Sequence, residues 1–278
     1  VHSMARLFYG PFMSTPFQPD LVPDPALPTL QRRLMRLLNK ALRDYSLLST
    51  GDNLLVALSG GKDSLCLTEL LALRSRIRQP RFSMAAVHVR MENVQYETDT
   101  QYLQAFCQRL NVPLHILTTR FETDTKVGRS PCYLCSWTRR KAIFRLALEQ
   151  GYNKIALGHH QDDLLLTLLM NQVFEGSFDT MPALLQFRKM PLTLIRPLCR
   201  IPEELIATWS QLNHYEKQVK ICPFEHESNR TRIQSIWKSM QQLNPEVRYS
   251  LWHALEKEHK LIECSPIDPD PSQPTSSI

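Results

Sequence analysis

Between Gly51 and Leu65 the chain reads Gly51-Asp52-Asn53-Leu54-Leu55-Val56-Ala57-Leu58-Ser59-Gly60-Gly61-Lys62-Asp63-Ser64-Leu65. The aliphatic run 54–58, entered from a Gly-Asp turn, has the length and composition of a strand buried on both faces of a parallel sheet. Directly behind it, residues 59–64 form a loop that opens a helix near Ser64. Two adjacent glycines let the backbone turn tightly and lie close to a ligand. The helix that follows presents unpaired N–H groups and the positive end of its dipole at the same point. Lys62 adds a full positive charge, and Ser59 and Ser64 add hydroxyl donors. Every part of this loop favours a polyphosphate. It is not a Walker A loop, because Val56 and Asp63 stand where that motif needs Gly and Ser/Thr. No G-x-G-x-x-G dinucleotide fingerprint occurs in the chain either.

Moving outward, similar apolar runs recur at 85–89, 114–117, 155–157 and 192–195, with helical periodicity at 64–78, 98–111, 136–150 and 161–175. Strand and helix alternating in this way predict an α/β fold with a doubly wound parallel sheet. After residue 202 the pattern is helical only, through 202–213, 231–243 and 246–262. Residues 31–43 form an amphipathic helix whose outer face carries Arg32, Arg33, Arg36, Lys40 and Arg43. Prolines crowd residues 10–28 and 265–278, which excludes regular helix or central strand there. The expected division is a Pro-rich arm at 1–30, an α/β domain with its basic helix at 31–200, a helical portion at 201–264 and a disordered tail at 265–278.

Composition bounds the class. The 278 residues are 43% hydrophobic and 22% charged, with 33 Lys+Arg against 27 Asp+Glu and a net charge of +6. That apolar share builds a core and excludes a mostly disordered chain. Seven cysteines are too few for a disulfide scaffold. No uncharged apolar run reaches a membrane-spanning length, no signal-peptide pattern opens the chain, and no repeat is present. Val1-His2-Ser3 before Met4 reads as a cloning remnant. The expectation is a cytoplasmic protein with reduced thiols and no membrane partner.

Two further motifs carry chemistry. Pro131-Cys132-Tyr133-Leu134-Cys135 precedes Ser136-Trp137-Thr138-Arg139-Arg140-Lys141. Thiols at a helix start beside three cations favour thiolate, the form that metals and electrophilic sulfur require. Cys222 is a third candidate of this kind, whereas Cys66, Cys107, Cys199 and Cys264 are isolated and read as small buried hydrophobes. Gly158-His159-His160-Gln161-Asp162-Asp163 follows the strand near 155. Side chains just past a strand's C-terminal end gather at the same sheet edge as the phosphate loop. Asp162 and Asp163 there can hold Mg²⁺ against phosphates. Asp162 can alternatively move a proton, and either carboxylate can cap the following helix.

Ser59-Gly60-Gly61-Lys62-Asp63-Ser64 resembles the PP-loop of ATP pyrophosphatases, which cleave ATP between the α and β phosphates. The run 131–171, followed by Met181-Pro182 and Ile195-Arg196-Pro197-Leu198, narrows the resemblance to the TtcA family, the tRNA 2-thiocytidine synthetases. It covers residues 31–232. It implies a Rossmann-like PP-loop fold and ATP- and Mg²⁺-dependent thiolation of an anticodon-loop cytidine. The C2 oxygen is adenylated and replaced by sulfur from sulfide or a cysteine desulfurase. It also implies a [4Fe–4S] cluster on three cysteines, which by motif are Cys132, Cys135 and Cys222. Nucleotide binding would fall to Ser59, Gly60, Gly61, Lys62, Asp63, Ser64, Gly158 and His159, and catalysis to Lys62, Asp63, Asp162 and Asp163. A persulfide route through Cys135 and Cys222 is an alternative. The resemblance leaves a homodimer open.

The sequence departs from the family at two places. The family's usual second cysteine after Cys222 is Glu225 here, and Cys222 with His226, Cys132 and Cys135 also spells a Cys₃His zinc set. Cluster, zinc and metal-free dithiol therefore all stand. After the second strand, His88 and Arg90 take the place of the family's Asp-containing segment. For RNA, the candidate phosphate contacts are Arg139, Arg140, Lys141, Arg145, Arg188, Lys189, Arg230 and Arg232, with Trp137, Tyr133 or Phe224 available to stack on a base.

Overall fold

Residues 53–57 form the strand expected at 54–58, paired on both sides within the sheet. The computed structural model describes residues 26–96, 100–121, 131–216, 220–221 and 229–265. In chain order the elements are α1 (Leu27–Asp44), β1 (Asn53–Ala57), α2 (Lys62–Ser75), β2 (Ser83–Met91), β3 (Gln95–Tyr96), α3 (Gln101–Leu110), β4 (Leu114–Thr119), α4 (Pro131–Glu149) and β5 (Lys154–Ala156). They continue with α5 (Gln161–Met170), β6 (Leu184–Phe187), β7 (Thr193–Ile195), α6 (Glu203–Leu212), β8 (Lys220–Ile221), α7 (Asn229–Leu243), α8 (Val247–Lys257) and β9 (Ile262–Ser265).

The sheet has seven strands in the order β4-β2-β1-β5-β7-β6-β9. Strands β4, β2, β1, β5 and β7 pair in parallel. β6 pairs antiparallel with β7, and β9 runs parallel to β6. Alternate residues of β1 face opposite sides, as the strand period of two requires. Leu54 and Val56 join Leu65, Leu67 and Leu70 of α2 in the larger core. Leu55 joins Ile143, Phe144 and Ala147 of α4 on the other face. All three β1 side chains are fully buried, each stabilising the fold by about 1.5–3 kcal/mol.

Five expectations change. Helix α1 begins at Leu27 with Pro28 in its first turn, where a missing N–H costs nothing, so residues 27–30 belong to the body. Helix α4 begins at Pro131, and both motif cysteines lie within it. The helix expected over 161–175 becomes a π turn at Asn171–Glu175, closed by Gly176 at φ 64°. The portion after 202 is neither purely helical nor separate. β9 joins the main sheet, and Trp209, Ile233, Trp237, Trp252 and Leu255 share one core with Leu34 and Leu38 of α1. Among the cysteines, Cys66, Cys107 and Cys199 are buried as expected, but Cys264 is exposed on the edge strand. The Pro-rich arm up to residue 25 and the tail beyond 265 lie outside the described residues. No described helix is long and apolar enough to cross a membrane.

Candidate active site

The phosphate loop leaves β1 and enters α2 at Lys62. Gly60 sits at φ 87°, the left-handed region that favours glycine. Both serine hydroxyls bond within the loop. Ser59 Oγ donates to Ser64 Oγ at 3.0 Å and accepts the Gly61 N–H at 3.3 Å. Ser64 Oγ in turn donates to the Gly61 carbonyl at 2.9 Å and accepts the Ser59 N–H at 3.1 Å. The loop is therefore preorganised, leaving the first N–H groups of α2 to meet an anion. Lys62 Nζ lies 2.8 Å from Glu203 Oε1 and 3.0 Å from Asp63 Oδ1. Burial works against its charge, but the Glu203 hydrogen bond and the Asp63 carboxylate outweigh that and raise its pKa.

The Gly158–Asp163 segment lies against this loop. A Cβ on Gly158 would stand 3.1 Å from Ser64 N and 3.2 Å from Asp63 C, so glycine is what lets the two segments touch. His160, also buried, has Nε2 3.8 Å from Asp63 and 3.5 Å from Asp163. His159 Nδ1 accepts from Arg196 Nε at 3.3 Å, and Arg196, fully buried, donates also to the Pro182 carbonyl. The three motif fragments Met181-Pro182, Gly158-His159-His160 and Ile195-Arg196-Pro197-Leu198 thus meet through one guanidinium. Burial, then the Arg196 charge, lowers the His159 pKa to about 4.

The paired carboxylates are already engaged. Asp162 Oδ2 accepts the Glu203 N–H at 2.8 Å at the start of α6, and Oδ1 accepts from Arg248 at 2.6 Å and Trp237 Nε1 at 3.3 Å. Burial alone would raise its pKa, but Arg248 and the Glu203 amide lower it. Asp163 takes the His160 N–H at 2.9 Å and the Arg230 guanidinium. A Mg²⁺ ion bracketed by Asp162 and Asp163 does not fit this arrangement. Among the described residues, no group of three or more His, Cys, Asp or Glu side chains is arranged to hold a metal ion. Glu203 and Arg248 are the site residues that sequence reading missed. Arg248 lies 86 residues from Asp162 in a helix with no motif of its own, and Glu203 is signalled only by its place just after Ile195-Arg196-Pro197-Leu198.

Cys132 and Cys135 sit one turn apart in the first turns of α4, the first exposed and the second half-buried. Cys135 and Leu134 pack on Met91, Val94 and Phe121 at the C-terminal ends of β2 and β4. Ile221, the residue before Cys222, pairs with Gln95 just beyond Val94. Cys222, Phe224, Glu225 and His226 lie outside the described residues. Two soft sulfur donors one helical turn apart suit a thiolate-bound group.

The basic residues divide. Arg139 is half-buried, with a buried Nε that has no hydrogen-bond partner, and its charge bears on His88. His88 is itself buried and donates Nδ1–H to the Leu58 carbonyl, at 2.7 Å, directly before the phosphate loop. Arg140 is half-buried, and its charge bears on Arg196. Arg230 is spent on Asp163, while Lys141 and Arg232 are exposed.

Comparison with known proteins agrees with this geometry. A family model described as a PP-loop domain matches residues 27–234. The tRNA-cytidine(32) 2-sulfurtransferase of Anaeromyxobacter sp. (strain K) is 34% identical over 234 residues, covering 81% of this chain and 79% of that protein. The protein of the same name from Acaryochloris marina is 32% identical over 242 residues, covering 85% of each. Among solved structures, the U34-tRNA thiolase NcsA from Methanococcus maripaludis, seen with its [4Fe–4S] cluster, superposes with a TM-score of 0.67 at 25% identity, over 84% of this chain and 80% of that one. The chain belongs to the PP-loop proteins and, within them, to the TtcA family, whose curated members are named tRNA-cytidine(32) 2-sulfurtransferases.

Proposed function

We propose that this protein is an ATP-dependent tRNA sulfurtransferase that converts an anticodon-loop cytidine to 2-thiocytidine. The observation that carries the reading is the placement of a preorganised phosphate loop and a two-cysteine helix start on one edge of one sheet. In the first half-reaction the cytidine C2 oxygen attacks the α-phosphorus of ATP, and pyrophosphate leaves. The α2 amides and Lys62 hold the charge that develops on pyrophosphate. Sulfur then adds at C2 and the C–O bond breaks, with AMP as the leaving group. Bound by Cys132, Cys135 and Cys222, a [4Fe–4S] cluster would supply an iron without a protein ligand, open to sulfide. The relatives' name supports cytidine as acceptor, and the thiolase neighbour supports the cluster over zinc.

In this reading Asp162 is a strut. Its carboxylate ties the Gly158–Asp163 segment to α6, α7 and α8, while Lys62 and Asp63 face the nucleotide. With Asp162 and Asp163 occupied, Mg²⁺ enters on the ATP phosphates and its own waters. A tRNA substrate and reduced thiols fit a cytoplasmic protein, with sulfide or a desulfurase as donor.

Anaerobically prepared protein, given unmodified tRNA, ATP, Mg²⁺ and sulfide, should release AMP and yield 2-thiocytidine on nucleoside mass spectrometry. It should carry about four irons with acid-labile sulfide. Lys62→Ala should abolish AMP release and Cys132→Ser should abolish thiolation. Full turnover by Cys132→Ser would point instead to an amine-transferring ligase, and no AMP from wild-type protein would remove the enzyme reading.

A further inference from the structure

A depression between α4 and the C-terminal end of β4, lined by no residue of the phosphate loop, has no role in the chemistry above. Its volume is about 380 Å³, within the roughly 300–1,000 Å³ of pockets that hold small ligands. Phe121 and Leu134 form its floor, Trp137 a wall, and Arg120, Lys141 and Arg145 its charged rim. All three cations are exposed, and no acid lines it among the described residues. Arg145 does reach Glu149, at 3.7 Å, but both side chains are largely open to solvent, so that pair is weak. The Lys141 ammonium lies 5.0 Å from the Trp137 ring centroid.

The geometry points to this depression as the seat of one single-stranded nucleotide of the RNA substrate, beside the nucleotide being modified. The assignment rests on the thiolation reading and sharpens it. Positions 134, 137, 138, 141, 142 and 145 make one stripe of α4, at the three- and four-residue spacing of a helix face. That stripe begins at the helix end that holds Cys132 and Cys135. The adjacent Arg139 and Arg140 are half-buried, whereas Lys141 is exposed to solvent. Three cations, with no acid among the described lining residues, suit a phosphate, and an indole ring over an apolar floor suits a base. An acidic protein segment would use the cations and leave the indole without a purpose.

The test is affinity for an unmodified anticodon stem-loop RNA, measured by fluorescence anisotropy at two salt concentrations on the full chain. The doubly substituted Lys141→Glu/Arg145→Glu should weaken binding at least tenfold and flatten the log–log salt slope by about 1.5. Trp137→Ala should weaken binding roughly 5- to 20-fold with the slope unchanged, as loss of stacking does. ATP affinity and melting temperature should stay at the wild-type values in every variant. Wild-type RNA affinity in both variants would overturn the assignment while leaving the thiolation reading intact. Displacement of the RNA by polyglutamate at equal concentration would overturn it in favour of an acidic protein. Failure of the wild-type protein to bind RNA would remove the thiolation reading along with it.

Discussion

Gly158 and Gly61 look alike in sequence, each a glycine in a phosphate-site motif, yet their surroundings separate them. An alanine Cβ at 158 would meet backbone atoms of Asp63 and Ser64 at 3.1–3.2 Å, and backbone at a helix start cannot swing aside. Gly158→Ala should therefore cost about 1–3 kcal/mol and, by shifting the first turn of α2, weaken ATP binding at least tenfold. At Gly61 an added Cβ meets only Ser59 Oγ, at 3.6 Å, and its φ of −82° suits any residue. Gly61→Ala should leave the melting temperature within a degree or two of wild type. Thermal melts with and without ATP check both; equal effects at the two positions would mean that the close approach at Gly158 is not what the fold depends on. In the sequence Gly61 reads as a loop glycine that lets the backbone approach a ligand, and Gly158 is named only through the family resemblance. Only three-dimensional contact separates the glycine needed by a neighbouring segment from the one that is not.

At the scale of elements, the site is held by helices that carry no recognisable motif. Strand β1, its loop and α2 were legible because a buried strand, a glycine turn and a leucine-rich helix each leave a local pattern. β9 was not, because Ile262 is exposed and no alternation marks the strand. Its place comes from pairing with β6. The same holds for α8, whose Arg248 reaches Asp162 while its guanidinium carbon lies 5.4 Å from the Trp237 ring centroid. The Arg248–Asp162 side chains are only 14% and 9% exposed, so removing the cation leaves a buried carboxylate without its main partner. Arg248→Ala should destabilise the protein by about 2–4 kcal/mol. Arg248→Ala/Asp162→Asn should recover part of that loss, because the uncompensated charge is gone. Denaturant melts of the two single variants and the double close the cycle. Strict additivity would show that α8 does not brace the Gly158–Asp163 segment through this pair.

Across the whole molecule, folding gathers motifs from four distant segments around buried imidazoles, and this gives the acid limb of stability a distinct shape. His159 takes a hydrogen bond from Arg196 on Nδ1, so the native state holds that nitrogen unprotonated, and its pKa falls from 6.5 to about 4. Burial lowers the His88 pKa in the same direction. Between about pH 6.5 and pH 4 the unfolded chain takes up protons that the native state refuses. The unfolded state then binds more protons, and stability falls as the pH drops. Asp52 and Asp162, whose pKa values are lowered from 3.8 by Lys154 and Arg248 against the opposing effect of burial, contribute a separate loss below that window. Wild-type protein should therefore lose stability well before its carboxylates titrate. His159→Gln should reduce the slope of unfolding free energy against pH near pH 5 by about one proton, roughly 1.4 kcal/mol per pH unit. It should leave the slope below about pH 3 unchanged. Urea midpoints collected from pH 7.5 to 3 in both proteins measure this directly. An unchanged slope at pH 5 would mean that His159 is protonated in the folded protein, and that Arg196 does not join the three motif fragments through that imidazole.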